Sequence, residues 1–430
     1  MAARGCLAYA HMKLAAVIIG CLVLALALLL SFWVDLQETL LGGSIDLRNR
    51  ITGVRLAEAG IDPYHYKWHH GDPDIYCDVY NNPNLPVSKT TVTPALLVLH
   101  APFAAVPYRL GQFLWLLTQW ALLLGAGAIW LFACPKAWQR WLIVACVIAF
   151  TYTGAWRLHA ERGQSYIVLA FVFSVWLALT LHRKWGDSFA AGFIAGLLVA
   201  LRPPFLMLGL FLGLHRRGQL LGAFVGLVIA VTLPMCVHPA LWSEYFAAVQ
   251  TNSALYISGD ETRSGQQRYP GVMEGTSTEI LANFAPFSFA DFSAVAMLRG
   301  LGAGQVPGWP IELLAVAGFA AWLGLTRAQP AAKLLPGLAA WFFLIDLCLP
   351  VFRQSYNDVL ALAILGSVLA VAARFPWALL AGAASLAAGW YVAWNTPEEK
   401  WLINLPAFCL VVMALALLFF IDNRWALRKV

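Results

Sequence analysis

Apolar stretches long enough to cross a membrane recur along almost the whole chain, separated by short polar links. A helix needs about 20 predominantly apolar residues to span the hydrocarbon of a bilayer. The stretches lack the alternation of apolar and polar residues that is typical of a membrane β-barrel, so they predict helices whose backbone groups bond within each span. We predict about twelve spans, at residues 14–34, 110–133, 139–156, 164–182, 188–201, 203–214, 219–237, 310–327, 333–350, 356–373, 376–394 and 401–421.

The composition also indicates an integral membrane protein. Of the 430 residues, 61% are hydrophobic and 12% are charged, whereas soluble domains have roughly 45–50% apolar and about 25% charged residues. The first apolar run is too long for a removable signal peptide, so we expect it to remain as an anchor. The net charge of +6 lies mostly in short links between spans. That distribution fits membrane topology, and we expect no nucleic-acid partner.

The basic residues predict on which side of the membrane each link lies, because cytoplasmic links carry an excess of lysine and arginine. Arg4 and Lys13 place the N-terminus in the cytoplasm, and the two long connections, 35–109 and 238–309, then lie outside. We expect the proline-bounded stretch 93–107 to form a helix in the outer interface, because a crossing there would invert the later topology. Six later basic links fall on the cytoplasmic side, near residues 136–140, 182–184, 215–217, 327–333, 374 and 424–429.

The long outer connections divide the chain into three predicted parts. Residues 1–237 form a transmembrane module that includes the first outer loop, residues 238–309 form the second outer loop, and residues 310–430 form a C-terminal transmembrane module. Within the first part, Arg202 stands at a break between two short spans and is followed by two prolines. An arginine is costly in lipid, so we expect Arg202 to line a cavity.

Asp46 is the first candidate for chemistry, because it follows the first span directly and lies beside several arginines. The simplest interpretation is that Ser44 and Asp46 cap a short helix. The functional interpretation is a general base that takes a proton from an acceptor hydroxyl, with Arg48 and Arg50 stabilising its negative charge. Tyr64, in the same outer segment, has a ring of the kind that stacks on sugars.

Two further polar clusters and the arginine at the helix break are candidates for binding an anionic sugar substrate. The first cluster has an ordinary alternative as a polar rim at the membrane surface. Arginine at such places can also hold a phosphate through two parallel hydrogen bonds. The candidates are Arg157, His159, Arg162 and Gln164 in the first cluster, Arg202 at the break, and Arg353, Gln354, Tyr356 and Asn357 in the second cluster.

Metal binding and disulfide formation receive little support from the sequence. His69, His70, Asp72 and Asp74 resemble a metal-binding cluster, but a loop this polar is more often simply solvated. The eight cysteines show no metal-binding spacing and no disulfide framework. We therefore expect no metal and no other cofactor.

Short motifs in a fixed order extend over most of the chain, and they resemble those of a known family. In this order and placement the chain resembles the polyprenyl-phosphate-sugar-dependent glycosyltransferases of the GT-C fold, and among them glycosyltransferase family 87, whose members include α-mannosyltransferases. The motifs are Asp46 after the first span, Gly60-Ile61-Asp62-Pro63-Tyr64, the stretch from Pro94 to Pro107, Gly163-Gln164, Ala191-Gly192 with Gly196 and Ala200-Leu201-Arg202-Pro203, His215-Arg216-Arg217, and Leu349-Pro350-Val351-Phe352-Arg353.

The resemblance implies an all-α integral membrane protein of the GT-C fold with two long outer-face loops. It implies that Asp46 acts as the base while a single sugar moves, with inversion, from a polyprenyl phosphate to a hydroxyl of a glycolipid, a glycan or a protein. Mannose is the expected sugar, and arabinofuranose is the alternative. The implied location is the bacterial inner membrane, with the active site facing the periplasm. Two other functions stay open: a polysaccharide ligase or polymerase, and a lipid-linked sugar flippase or other transporter.

Overall fold

The computed structural model describes residues 2–41, 43–66, 68–82, 90–182, 184–258, 293–295, 298, 308–349 and 353–371. These residues form helices, and no β-strand occurs among them. Within these ranges five helices are long and apolar enough to cross a membrane: Ile18–Leu41, Tyr108–Ala133, Arg217–Val237, Gly308–Thr326 and Ala331–Cys348. The protein is therefore an all-helical, multi-pass membrane protein. The predicted spans 376–394 and 401–421 lie outside the described residues, so the total of about twelve stays a prediction.

Fifteen α-helices are numbered here in chain order over the described residues. They are α1 (Ala2–Leu41), α2 (Ile45–Glu58), α3 (Pro94–Val98), α4 (Ala101–Ala104), α5 (Tyr108–Ala133), α6 (Ala137–Thr151), α7 (Gly154–Arg162), α8 (Tyr166–Leu181), α9 (Phe189–Leu201), α10 (Leu208–His215), α11 (Leu220–Val237), α12 (Leu241–Ser258), α13 (Gly308–Thr326), α14 (Ala331–Cys348) and α15 (Ala361–Val371). Short 3₁₀ helices occupy Asp74–Tyr76, Pro203–Met207, Arg217–Gln219 and Ser355–Leu360.

The first helix continues beyond the predicted start of the outer loop at Asp35. The Asp35 carboxylate is buried inside the protein, where the indole nitrogens of Trp120 and Trp156 donate to it over 3.0 and 2.8 Å. Arg157 Nη1 lies 2.8 Å from its other oxygen. A buried carboxylate is tolerated when it is paired and hydrogen-bonded in this way. Helix α1 therefore continues past Asp35 and ends at Leu41.

The proline-bounded stretch 93–107 forms two short helices, α3 and α4, where we expected one. The break falls at Leu99 and His100, and Pro102 occupies the first turn of α4. Proline has no backbone N–H and is accommodated most readily in the first turn of a helix. Pro102 therefore starts α4 and does not continue the hydrogen-bonded backbone of α3. Thr93 Oγ1 donates to the carbonyl of Leu201 over 3.1 Å, which attaches α3 to the end of α9.

A sharp bend separates α6 from α7 and turns α7 across the end of the helical bundle. The two helix axes differ by 61°. Thr153 begins α7 by accepting a hydrogen bond from the backbone N–H of Trp156 over 3.3 Å. Gly163 ends α7 with φ at 68°, a left-handed conformation that favours glycine. A Cβ at this position would also lie 2.8 Å from Leu47 Cβ.

Helices α9 and α11 pack with their backbones in direct contact. A Cβ at Gly196 would lie 2.1 Å from the carbonyl oxygen of Ala223, and one at Gly222 would lie 2.1 Å from that of Phe189. Small residues spaced four apart allow membrane helices to approach this closely, since dispersion contacts replace the hydrophobic effect as the main attraction in lipid. This pair forms a rigid support for the break at Arg202.

The helix directions bring one set of helix ends together. Tyr108 at the start of α5 hydrogen-bonds to Ser44 before α2, and Arg202 after α9 pairs with Asp346 near the end of α14. The basic links lie at the opposite ends of these helices. There Arg216 Nη2 donates to the carbonyl of Thr180 over 3.2 Å. The polar clusters predicted from the sequence are therefore collected at the end of the bundle away from the basic links.

Candidate functional site

Asp46 lies in the first turn of α2, at the positive end of the helix dipole. Ser44 occupies the N-cap position with φ at 66°, and its side chain makes no capping hydrogen bond. Its backbone N–H donates to the carbonyl of Glu161 instead, and its carbonyl accepts from the Tyr108 hydroxyl over 3.3 Å. The start of α2 is thus held by α7 and α5, while Asp46 is directed to other groups.

One oxygen of the Asp46 carboxylate is fully engaged. Its Oδ2 accepts hydrogen bonds from Arg162 Nε and from Gln164 Nε2, each over 2.6 Å. No residue in the described part of the chain donates to Oδ1, and the side chain is 16% exposed. The carboxylate is therefore fixed in orientation and still accessible through its second oxygen.

Arg50 joins this group from one turn further along α2. It is buried, with Nη1 2.5 Å from the carbonyl of Gly163 and Nη2 2.6 Å from Gln164 Oε1. Burial lowers the pKa of Arg50, and the charge of Asp46 opposes that shift. Gln164 contacts both Asp46 and Arg50, so it fixes the separation of the two charged groups. We call Asp46, Arg50, Arg162 and Gln164 the carboxylate cluster.

A second charged group surrounds Arg202, which adopts an extended backbone conformation between α9 and the following 3₁₀ helix. Its Nε and Nη2 both donate to Asp346 Oδ1, the first over 2.9 Å. Arg353 lies 3.5 Å from the other oxygen of Asp346 and donates to Asp358 over 2.9 Å. Asn357 is buried next to Asp358 in the same 3₁₀ helix. We call Arg202, Asp346, Arg353 and Asp358 the arginine pair group.

A small cavity opens beside Arg202. It combines one charged edge, formed by Arg202 and Asp346, with apolar walls. Arg202 is 20% exposed, while Arg353 is 1% exposed, so only Arg202 of the two is accessible. The lining residues are Phe173, Arg202, Pro204, Phe205, Ala339, Phe342, Phe343, Asp346 and Leu360.

Two tyrosines lie between the carboxylate cluster and the arginine pair group. The ring centroids of Tyr166 and Tyr356 are 5.8 Å apart. The Arg202 guanidinium lies 5.6 Å from the centroid of the Tyr166 ring. Tyr356 is within electrostatic reach of Asp46, Arg50 and Arg162. The two rings therefore connect the groups on either side.

The other predicted site residues lie outside these groups. Arg48 pairs with Asp78, and Arg157 pairs with Asp35. His159 is buried, and its Nε2 accepts from the backbone N–H of Ile167 over 3.1 Å. This bond supports the start of α8.

Tyr64 and Gln354 are also buried. The Tyr64 hydroxyl donates to the carbonyl of Val92 over 3.0 Å, and its ring meets that of Tyr245 at 5.6 Å. Burial raises the pKa of Tyr64 well above its ordinary value. Gln354 accepts a backbone hydrogen bond from Asn357 through its carbonyl, which begins the 3₁₀ turn. Both residues fit a supporting role at this end of the bundle.

The loop at residues 69–74 is bonded to itself. Asp72 accepts from the Tyr66 hydroxyl over 2.9 Å and from the backbone N–H of His69 over 2.9 Å. These hydrogen bonds lower the pKa of Asp72. Across the described ranges, no three metal-ligating side chains come together.

Three structural partners were not selected from the sequence: Asp35, Asp346 and Tyr166. Asp346 carried a signal, because it stands alone in an apolar stretch, where an ionisable residue usually needs a charged partner. Asp35 lay at the edge of its span and looked like the first loop residue. Tyr166 lay inside the first polar cluster, with no feature to separate it from its neighbours.

Comparison with known proteins adds the family. The sequence model of glycosyltransferase family 87 matches residues 91–323, more than half of the 430 residues. The chain belongs to glycosyltransferase family 87. No curated protein and no solved structure gives a significant match.

The family match covers Arg162, Gln164 and Arg202, while Asp46 precedes it and Arg353 follows it. Segments outside the match contact segments inside it. Asp46 pairs with Arg162. Asp346, which also follows the match, pairs with Arg202 and lies beside Arg353. As a member of family 87 the protein is a glycosyltransferase in a membrane. Its polar clusters at one end of the bundle are the candidate site for that chemistry.

Proposed function

We propose that this member of family 87 is an inverting glycosyltransferase that moves a single sugar, mannose in the first instance, from a polyprenyl phosphate to a hydroxyl of a glycolipid, a glycan or a protein. The acceptor oxygen forms a bond to the anomeric carbon as the bond between that carbon and the phosphate oxygen breaks. The phosphate leaves with the electron pair, and Asp46 takes the proton of the acceptor hydroxyl. No cofactor is required, because the phosphate leaves as an already charged group.

The observation that supports this proposal most strongly is the contrast between the two oxygens of Asp46. Oδ2 is held by Arg162 and Gln164, and Oδ1 accepts no hydrogen bond from the described residues. A general base must reach the proton it takes within hydrogen-bond distance and in a fixed orientation. The two bonds to Oδ2 fix the orientation of the carboxylate and leave Oδ1 open to an acceptor hydroxyl. Two arginines beside one carboxylate also give the cluster a net positive charge, which suits an anionic substrate.

The phosphate of the donor needs a different cation. Inversion requires the leaving group and the base to lie on opposite faces of the sugar ring, and Arg162 touches the base. Arg202 lies across the two tyrosines, and its Nη1 donates to no described residue. We assign the donor phosphate to this nitrogen.

The direction of the helices supports an active site on the outer face. The polar clusters lie at the end of the bundle opposite the basic links, and basic links are cytoplasmic in membrane proteins. In a bacterium this face is the periplasmic side of the inner membrane. The donor is then bound from the outer leaflet of the bilayer.

A transfer assay in liposomes tests the reaction. The protein is supplied with radiolabelled polyprenyl-phosphate mannose, polyprenyl-phosphate arabinofuranose or a polyprenyl-diphosphate oligosaccharide, together with glycolipids and glycans extracted from the source cell. We expect label in product from a monophosphate donor and an inverted anomeric configuration by NMR.

The two alternative functions give different results in the same assay. Transfer of a whole oligosaccharide from the diphosphate donor would indicate a ligase or polymerase. Movement of the intact lipid-linked sugar across the bilayer with no product would indicate a flippase. Either result would overturn the proposal.

A further inference from the structure

Tyr166 stands at the centre of the candidate site. Its ring neighbours Tyr356 at 5.8 Å between centroids, and the Arg202 guanidinium lies over it at 5.6 Å. Arg50 is also within electrostatic reach of Tyr166. One side chain therefore contacts or faces members of both charged groups, although the two groups come from different parts of the chain.

The hydroxyls of Tyr166 and Tyr356 differ from those of two buried tyrosines, Tyr64 and Tyr108. Tyr64 and Tyr108 donate to the backbone carbonyls of Val92 and Ser44. Buried tyrosine hydroxyls usually find such a partner. Tyr166 and Tyr356 are partly exposed, and their hydroxyls bond to no residue in the ranges that the structure describes. These two hydroxyls are available to a ligand.

The position of Tyr166 and Tyr356 indicates which part of the substrate they would bind. If Asp46 takes the proton of the acceptor and Arg202 holds the leaving phosphate, the anomeric carbon lies between them, and so does the ring of the transferred sugar. Arg202 lies over the Tyr166 ring, and Tyr356 lies beside it at a 37° tilt. The phenolic oxygens, which donate and accept hydrogen bonds, match the hydroxyls of a sugar.

We infer that the hydroxyls of Tyr166 and Tyr356 bind hydroxyl groups of the transferred sugar and select which sugar the enzyme accepts. This inference rests on the proposed function. A site built to hydrogen-bond a substrate hydroxyl discriminates against an analogue that lacks it, because its own polar groups are then left without partners. Tyr166 and Tyr356 are then both specificity-determining residues.

The test compares wild type with Tyr166→Phe and Tyr356→Phe, which remove only the hydroxyl and keep each ring. Each enzyme is given the polyprenyl-phosphate donor that wild type uses best and the series of donors in which one sugar hydroxyl at a time is replaced by hydrogen. A neutral hydrogen bond corresponds to about 3- to 10-fold in kcat/KM. Tyr76→Phe is the matched control, because Tyr76 is also half-buried beside another tyrosine, Tyr66, and lies outside the site.

We expect wild type and Tyr76→Phe to lose about 3- to 10-fold on one particular deoxy donor. Tyr166→Phe should show that loss already on the parent donor and no further loss on that deoxy donor, since the same hydrogen bond cannot be removed twice. Tyr356→Phe should behave likewise with a second sugar hydroxyl. A purely structural role would lower activity equally on all donors.

The outcomes separate this inference from the proposed function. If wild type transfers sugar and both variants stay as sensitive as wild type to every deoxy donor, the inference is overturned while the proposed function stands. If wild type neither binds nor transfers any polyprenyl-phosphate sugar, both are overturned. If one variant fails to fold, judged by its melting temperature, the other decides the question with its own deoxy donor.

Discussion

At the scale of single residues, Arg50 connects two segments that are more than a hundred positions apart in the chain. Its guanidinium donates through Nη1 to the carbonyl of Gly163 and through Nη2 to the side chain of Gln164. Two nitrogens in a fixed plane are needed to reach both acceptors, and lysine has only one. The position of Gln164 beside Asp46 depends on this pair of bonds.

We therefore predict that Arg50→Lys keeps the positive charge but loses one of the two hydrogen bonds, to Gly163 or to Gln164. Loss of one charge-assisted hydrogen bond should lower the free energy of unfolding by about 1.5–3 kcal/mol, and transfer activity should fall with it. Denaturant unfolding in detergent measures the first effect. Arg217→Lys is the control, because Arg217 is exposed and, among the described residues, donates to the carbonyl of Gly213 alone. Equal stability of the two variants would contradict the role given to Arg50.

His100 makes the free energy of unfolding depend on pH. It is buried between α3 and α4, and burial together with the nearby charge of Arg50 lowers its pKa to about 3. The unfolded chain binds a proton at His100 below about pH 6.5, which the folded chain does not bind until the pH approaches 3. The free energy of unfolding therefore falls as the pH drops through this window, by up to about 1.4 kcal/mol per pH unit.

His100→Gln should remove this part of the pH dependence, because glutamine does not titrate and still offers a donor for the carbonyl of Leu96. Unfolding curves at pH 7.5 and pH 5 should differ less for this variant than for wild type. Exposed His70 provides the control, as His70→Gln should leave the dependence unchanged. The same slope for wild type and His100→Gln would refute the prediction.

The sequence identified Asp46 as a candidate base with arginines nearby. It did not indicate which residues bond to the Asp46 carboxylate. Arg48, two positions away, bonds to Asp78 instead, because successive positions on a helix point in different directions. The direct partners, Arg162 and Gln164, are distant in sequence. Their approach depends on the bend before α7, and no local pattern fixes its angle.

At the scale of helices, the contact between α9 and α11 places Arg202. The two backbones touch at Gly196, where a Cβ would lie 2.1 Å from the carbonyl oxygen of Ala223 and 2.5 Å from the amide nitrogen of Leu227. Both obstacles are backbone atoms of a helix, so they cannot turn aside as a side chain would. The helices themselves would have to separate.

Gly196→Ala should therefore destabilise the protein by about 1–3 kcal/mol, the usual effect of overpacking, and should shift Arg202 away from Asp346. Thermal unfolding in detergent measures the loss. Gly209→Ala is the matched control: Gly209 lies in α10, and a Cβ there meets no atom within 4 Å. If both variants melt at the same temperature as wild type, the close packing of α9 on α11 does not hold.

Helix boundaries followed the sequence where a capping residue or a proline marked them. Ser188 begins α9 by accepting from the backbone N–H of Ala191 over 3.2 Å, close to the predicted start. The end of α1 was harder to predict. Asp35 looked like a loop residue, and only its contacts with Trp120, Trp156 and Arg157 explain why it is a buried residue within α1. Such long-range pairing leaves no local mark.

At the scale of the whole molecule, the helix directions separate two chemically different ends. One end carries the carboxylate cluster and the arginine pair group, and the other carries the basic links. We predict that a cysteine introduced at exposed Asp74 is labelled from outside intact cells by a membrane-impermeant maleimide, while one at exposed Arg217 is not. A background without the native cysteines is required. Labelling of Arg217→Cys alone would place the site on the cytoplasmic side.

The most direct test of the account is the turnover of Asp46→Asn at saturating donor, measured beside the binding of the same donor. Asparagine keeps the size of the side chain but cannot take a proton. We predict that kcat falls by about 10²- to 10⁴-fold, while donor affinity stays close to that of wild type. Because Arg162 loses the charge of its partner, the free energy of unfolding should fall by about 1.5–3 kcal/mol. Exposed Asp74→Asn should retain full turnover. Undiminished turnover by Asp46→Asn would contradict the central claim that this carboxylate is the base.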